Sequence, residues 1–267
     1  PSAVRPMGGR ELHGKAGRVT PRTSHLLAAG LVLLAATGCG DLGSASHERR
    51  DSRDFPYSAA KLVIKATGTP VRLEPGAPGT LRVDRLLTGK AADEGNASWS
   101  LEGGTLAVGI VCSGIVINCD SQHTIKVPPG VTIEVGSDDD VNAVRLPQAL
   151  TVTTRDGNVR TDAVSGPMRL VSQSGKVTAR RIRSADVTAR SSDGLVALYF
   201  ATVPSRVEAV SDSGTVDVVV PETRDAYRVD VSSKDGTATS RVPRASSAPR
   251  SLHARSGEGD VRVRQAG

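Results

Sequence analysis

Beyond residue 40, the residue types that could do chemistry are few and scattered. Cys112 and Cys119 flank a stretch containing Ser113 and Gly114, and His123 is the one histidine close to them in sequence. Such a set could be a thiol activated by an imidazole, or a disulfide in an oxidising compartment. The even pair favours the disulfide, which would close a loop of about eight residues and stabilise by on the order of 2 to 3 kcal/mol. Asp138, Asp139 and Asp140 are the best candidate for calcium. A calcium shell takes about six to eight oxygens, and three neighbouring carboxylates on one turn cannot all reach one ion, so a solvated turn is expected. Asp156, Asp193, Asp212 and Asp235 recur at regular places, yet turn chemistry alone explains Asp before Gly. His13, His25, His47 and His253 lie far apart, no His-Glu-x-x-His or Gly-x-Ser-x-Gly occurs, and Gly175-Lys176 lacks the upstream glycine of a phosphate loop. Neither a catalytic residue nor a metal or cofactor site is expected.

What must position these groups is a repeat. Six times the pattern apolar, x, apolar, x, Ser or Thr, x, x, Gly returns, ending on Gly157, Gly175, Gly194, Gly214, Gly236 and Gly259 at spacings of roughly 18 to 23 residues. The period of two on each side of the glycine requires strands, and the parity flips across it, so a turn sits there. Two geometries satisfy the flip. Asp156-Gly157 and Asp235-Gly236 could be tight hairpin turns with glycine at positive φ, giving an antiparallel meander or sandwich. Alternatively each turn is a β-arc, with every strand pairing to its equivalent in the next repeat, giving a single-stranded parallel β-solenoid of about 18 to 23 residues per coil. Drifting spacing around a fixed Ser-x-x-Gly corner favours the solenoid. The final copy, with Arg255, Glu258, Asp260, Arg262 and Arg264, is charged enough to be expected as a polar cap.

The chain divides into four stretches. Residues 1–38 hold Arg5, Arg10, Lys15, Arg18 and Arg22 against Glu11, followed by the apolar run Leu26 to Ala36 and then Ala36-Thr37-Gly38-Cys39. A basic start, a short apolar core and small residues before a cysteine read as an export signal. The ending resembles the lipobox of bacterial lipoproteins, with Ala36 where Leu is usual, and the resemblance implies acylation of Cys39 and a chain anchored to the membrane outside the cytoplasm. Most of the formal charge of +6 lies in that segment, which leaves no basic, aromatic-interleaved footprint for nucleic acid. Residues 39–54 are polar and unpatterned, expected as a flexible tether. Residues 55–130 form an N-terminal β section with strand candidates Lys61 to Lys65, Val71 to Glu74, Leu81 to Leu86, Ser98 to Glu102, Thr105 to Ile110 and Thr124 to Val127. Within it a Gly103-Gly104 turn would pair Leu101 with Leu106 and Trp99 with Val108, which makes Trp99 a core residue rather than a sugar platform. Residues 131–264 are the repeat region, opening with an irregular copy at Val131, Ile133, Val135, Val141 and Ala143 whose turn is Asp138-Asp139-Asp140.

The series Trp99-x-Leu101-x-Gly103-Gly104-x-Leu106, Cys112 and Cys119, Val127-Pro128-x-Gly130-Val131, then Ser-x-Ser-Gly-x-Val or Ser-x-Asp-Gly-x-Val, is similar to a bacterial β-strand-repeat family described as "putative adhesins", a domain of unknown function, over roughly residues 60 to 264. The resemblance implies a β-solenoid in an extracytoplasmic, often lipid-anchored protein. The expected function is therefore a non-enzymatic surface module that contacts a protein or cell-wall glycan. An envelope accessory acting through a membrane partner is the alternative. A polysaccharide-processing solenoid enzyme would need aromatic platforms, and the repeat body offers only Tyr199, Phe200 and Tyr227.

Overall fold

The computed structural model describes residues 47–114 and 116–267. Its strands, in chain order, are β1 (Glu48–Pro56), β2 (Lys61–Thr67), β3 (Val71–Pro75), β4 (Thr80–Gly89), β5 (Ala97–Glu102), β6 (Thr105–Ile110), β7 (Cys119–Val127), β8 (Thr132–Ser137), β9 (Val141–Val144), β10 (Leu150–Thr154) and β11 (Val159–Asp162). They continue as β12 (Met168–Ser172), β13 (Val177–Ile182), β14 (Asp186–Ser191), β15 (Val196–Phe200), β16 (Arg206–Ser211), β17 (Val216–Val220), β18 (Tyr227–Ser233), β19 (Ala238–Arg241), β20 (Arg250–Ser256) and β21 (Val261–Gln265). No α-helix occurs among the described residues.

Two sheets result, and from β7 onward the chain alternates between them. One runs β1-β4-β7-β3-β9-β11-β13-β15-β17-β21-β19 and the other β5-β6-β2-β8-β10-β12-β14-β16-β20-β18. A coil is one strand in each: β12 buries Met168, Leu170 and Ser172, the chain turns, and β13 buries Val177 and Ala179 against them. Equivalent strands of neighbouring coils pair in parallel, so like stacks on like, as Met168 on Val187, Leu170 on Ala189 and Ser172 on Ser191. The parallel solenoid is therefore the fold, and the antiparallel meander or sandwich does not form.

The coils do not stack in chain order. The coil β6/β7 lies outside β2/β3, and β20/β21 is inserted between β16/β17 and β18/β19. The last copy is thus internal, which corrects its expected role as a cap. Apolar content explains the exchange. Leu252, Ala254, Val261 and Val263 are buried on both sides of their coil, whereas β19 carries Ser240 where β21 has Val263 and leaves Ala238 and Arg241 exposed at the end of the stack. A coil with a polar inward residue costs least where only one side is covered.

The expected break at residue 130 is not a packing boundary. β2 and β3 pair in parallel with β8 and β9, and one core runs continuously from Phe55 to Val263. The N-terminal end is widened by antiparallel strands, β1 on β4, β4 on β7 and β5 on β6. The hairpin β5–β6 has the anticipated register, Trp99 opposite Val108 and Leu101 opposite Leu106, with Gly103 and Gly104 at φ of 54° and 77° as such a two-residue turn requires.

The tether expected over residues 39–54 ends sooner, because Glu48–Pro56 is a strand. Its polar alternation hid it. Apart from Phe55, which joins the core, the side chains answer β4: Ser52 donates to Asp84 at 2.7 Å, Arg82 lies 3.3 Å from Asp54, and Arg85 pairs with Asp51 at 2.8 Å. An otherwise bare edge of β4 is covered, and charge blunts the new edge.

Candidate functional site

The repeat corners are built from one hydroxyl and one glycine. In the coil of Ser191, the Gly194 N–H donates to Ser191 Oγ at 2.8 Å, and that hydroxyl donates to the Gly175 carbonyl of the coil below, also at 2.8 Å. Ser172, Ser211, Ser256 and Ser233 repeat both bonds, onto Gly157, Gly194, Gly214 and Gly259 respectively. The acceptors follow the spatial order of coils, Gly214 for Ser256 and then Gly259 for Ser233, and so trace the inserted last copy. None of the corner glycines has positive φ. What they supply is room, since a Cβ on Gly175, Gly194 or Gly214 would stand 2.1 to 2.2 Å from the carbonyl oxygen beneath it. Residues 137–266 match the family model for Toastrack DUF4097. This stretch is a Toastrack domain.

Solved structures similar to most of the chain are distant relatives. A putative cell adhesion protein from Clostridium sporogenes is 11% identical at a TM-score of 0.37, covering 82% of this chain and 100% of its own. A putative lipid binding protein from Parabacteroides distasonis is 14% identical at 0.45, with 80% and 96% covered. A putative adhesin from Bacteroides fragilis is 12% identical at 0.37, with 82% and 97% covered. Among curated proteins none matches.

Placing the sequence-derived candidates on this Toastrack fold separates them. Cys112 and Cys119 form the disulfide, with Cα atoms 6.4 Å apart. Cys39 lies outside the described residues. Asp140 accepts from Asn158 N–H at 2.7 Å, from Asn158 Nδ2 at 2.9 Å and from Arg160 at 2.5 Å, and its carboxyl is held below the usual range by these partners against the opposing effect of burial. Asp139 is pushed the other way, by burial first and then by Asp140 and Asp138. The three carboxylates are therefore not a shared ligand set, and among the described residues no cluster of His, Cys, Asp or Glu is arranged for a metal. Tyr227 and Phe200 are buried. Tyr199 is half-buried, donates to Asp217 at 3.2 Å and has the Arg180 guanidinium 5.8 Å from its ring centre.

The Toastrack coils carry their outward residues in rows, one per coil. Ion pairs link successive coils, Arg190 to Glu208 and Arg206 to Asp186 on one sheet, Arg160 to Asp140 and Arg181 to Asp162 on the other. Each such exposed pair is worth about 0 to 1 kcal/mol. Between Asn142, Arg160, Thr178 and Arg180 the second face dips into a depression of about 350 Å3. With Arg145, Arg160, Arg180 and Arg181 around Asp162 and Asp140, this patch is basic.

One polar cluster was not anticipated as a unit. At the N-terminal end, below the Toastrack repeats, Thr69 and His123 are fully buried, Ser121 donates to Thr69 at 2.7 Å, and Thr69 lies 2.9 Å from His123 Nδ1. Thr69 Oγ1 also lies 3.4 Å from the Pro70 carbonyl, and its bond to Nδ1 leaves Nε2 as the remaining ring nitrogen. That atom and Arg85 Nη1 have no partner among the described residues. Arg85 stands directly opposite His123 and stacks 3.9 Å from the Trp99 ring centre. The hydroxyl that reaches the imidazole is thus Thr69's, wholly enclosed, and Ser121 is not activated by it; the group closes the end of the core. Arg85 shares the inward parity of Leu81, Val83 and Leu87, so the sequence did carry the signal.

Burial, and then the Arg85 charge, hold the His123 pKa down at about 4 from 6.5. The unfolded chain takes up this proton near 6.5 and the folded chain near 4, so the stability contribution is complete above the first value and is lost as pH falls toward the second. The loss is on the order of 3 kcal/mol. Urea midpoints should fall between pH 7 and pH 4, and His123→Gln should flatten that slope; an unchanged slope in the variant would refute the assignment. The depressed carboxyls, among them Asp140 and Asp162, add their loss below 3.8 and do not overlap the window.

Proposed function

We propose that this chain is a non-enzymatic, extracytoplasmic binding module, anchored to the cell membrane through an acylated Cys39, whose Toastrack solenoid faces contact another protein or a cell-wall glycan. One observation carries the reading: among the described residues nine coils stack in register, and one outward row, from Thr105 through Glu134, Thr151, Arg169, Thr188, Glu208 and His253 to Asp230, is polar at every coil but that of Val63, at about 4.8 Å per coil over about 38 Å. Such a surface is ordered before any partner arrives, so binding forfeits little conformational entropy. The basic depression by Arg160 and Arg180 gives it a polar foothold for anionic or hydroxyl-rich groups. The segment ending at Cys39 supports the anchor, and acyl chains contribute about 0.8 kcal/mol per buried methylene. No helix among the described residues is long and apolar enough to cross a membrane.

Cys39→Ser should move the chain out of the membrane fraction, read by fractionation and immunoblot. A variant that sediments with membranes as before would sink the anchor. Crosslinking on intact cells should capture a partner at the solenoid. Glycan turnover by the purified chain, with nothing captured, would overturn the binding role.

A further inference from the structure

Among the described residues the exposed large hydrophobic side chains are Val111, Val116 and Ile117, at 72%, 40% and 82% exposure, and all three sit in or beside the loop closed by Cys112 and Cys119. Scattered exposed apolar residues need no explanation, but a set concentrated on one loop marks a contact. The base of this loop is fixed. Both cysteines pack on Leu87, Ala91 and Ala92, the Lys90 N–H donates to the Asn118 carbonyl at 2.7 Å, the Lys90 ammonium donates to the Ser113 carbonyl, and the Val111 N–H donates to the Asn96 carbonyl at 2.8 Å. A Cβ on Gly89 would stand 2.4 Å from the Asn118 oxygen, so this side of the loop lies hard against the domain while Val116 and Ile117 face solvent.

The same corner is where the chain enters the fold. The His47 carbonyl accepts from Gly89 N–H at 2.8 Å, and Gly89 is paired with Cys119. Glu48, the first residue of β1, is opposite Thr88, which is opposite Asp120. Two strand spacings of about 4.8 Å therefore separate the entry from the loop. From Cys39 to His47 the chain reaches at most about 28 Å when fully extended, and about 15 Å as a flexible coil.

We propose that the Cys112–Cys119 loop is a membrane-contact element, resting on the anchoring at Cys39 argued above: Val111, Val116 and Ile117 enter the interfacial layer of the bilayer and fix how the solenoid stands on it. The occupant is lipid because the tether that begins at this corner is too short to carry the loop far from the surface. Charge around it is mixed, Arg49, Arg50 and Lys90 against Glu48, Asp93, Glu94 and Asp120, so the contact is apolar and does not select anionic lipid.

Coupling Cys39, the one thiol outside the disulfide, to a maleimide lipid in phosphatidylcholine vesicles supplies the tether chemically, whether or not cells acylate it. Backbone amides of the loop should then exchange with solvent at least about fivefold more slowly than in the uncoupled chain. The triple variant Val111→Ser, Val116→Ser, Ile117→Ser should lose that protection with the rest of the exchange pattern unchanged. Adding phosphatidylglycerol or raising salt should alter neither result. Unchanged loop exchange on coupling, protection that survives in the triple variant, or protection seen only with phosphatidylglycerol at low salt would each overturn the proposal. Failure of the Cys39→Ser fractionation with loop protection intact would remove the natural anchor and leave the contact element standing.

Discussion

Deleting residues 250–267 strips two coils from the solenoid, although it removes the residues of one. β18 and β19 pair only with β20 and β21, and the shortened chain lacks both of these partners. The amides of 227–241 should exchange at nearly unfolded rates, and trypsin should cut after Arg228, Lys234 or Arg241. Leu252, Val261 and Val263 each contribute about 1.5 to 3 kcal/mol by burial, so the loss is a large share of a typical domain's 5 to about 15 kcal/mol. Coils from β8 to β17 should persist, because each repeat depends on its neighbours alone. Stacking in chain order predicts the opposite, with β18/β19 still held by β16/β17. Re-docking of β18/β19 on the bared β16/β17 would restore protection only in part, without the Leu252 and Val261 contacts; protection over 227–241 equal to that of the full chain would therefore disprove the inserted order.

Gly194→Ala should cost about 3 kcal/mol or more, the range of an overpacked core site. The new methyl would stand 2.2 Å from the Gly175 oxygen, 2.6 Å from its carbon and 2.8 Å from Ser191 Oγ. Relief cannot come from a rotamer, because the obstacle is the backbone of the adjoining coil, itself fixed by the Ser191 hydrogen bond. Either the coils separate or both corner bonds lengthen. Gly136→Ala is the matched control: it lies in β8, faces outward with nothing within 4 Å, and should change the urea midpoint little. Equal midpoints for the two variants would show that close approach is not why the corner needs glycine.

Much of this architecture was legible in the sequence because parity is. Leu150, Val152 and Thr154 before Gly157, and Val159 after it, fixed which side chains turn inward, and the Gly103-Gly104 hairpin and the cysteine pair followed from equally local rules. Neighbour order was not legible. Each copy presents nearly the same inward face, so nothing local tells β20 to choose β16; the decision lies in small differences such as Ser240 against Val263. β1 was missed because Glu48–Pro56 has charged residues where a buried strand has apolar ones, and its partners lie on β4. The reason for the corner glycines was missed in the same way. Close approach to the coil below is a property of two segments, and a single segment suggests only a turn.

The inserted coil also sets an order of arrival. A chain that emerges from its N-terminus, from a ribosome or a translocation pore, delivers β18 and β19 before the strands they dock against. Until Val263 is clear, Tyr227, Val229 and Val231 have no neighbour, and pairing them on β16 and β17 in the interval would occupy the place that β20 and β21 need. The domain is closed by its latest strands, driven between two partners that must wait for them.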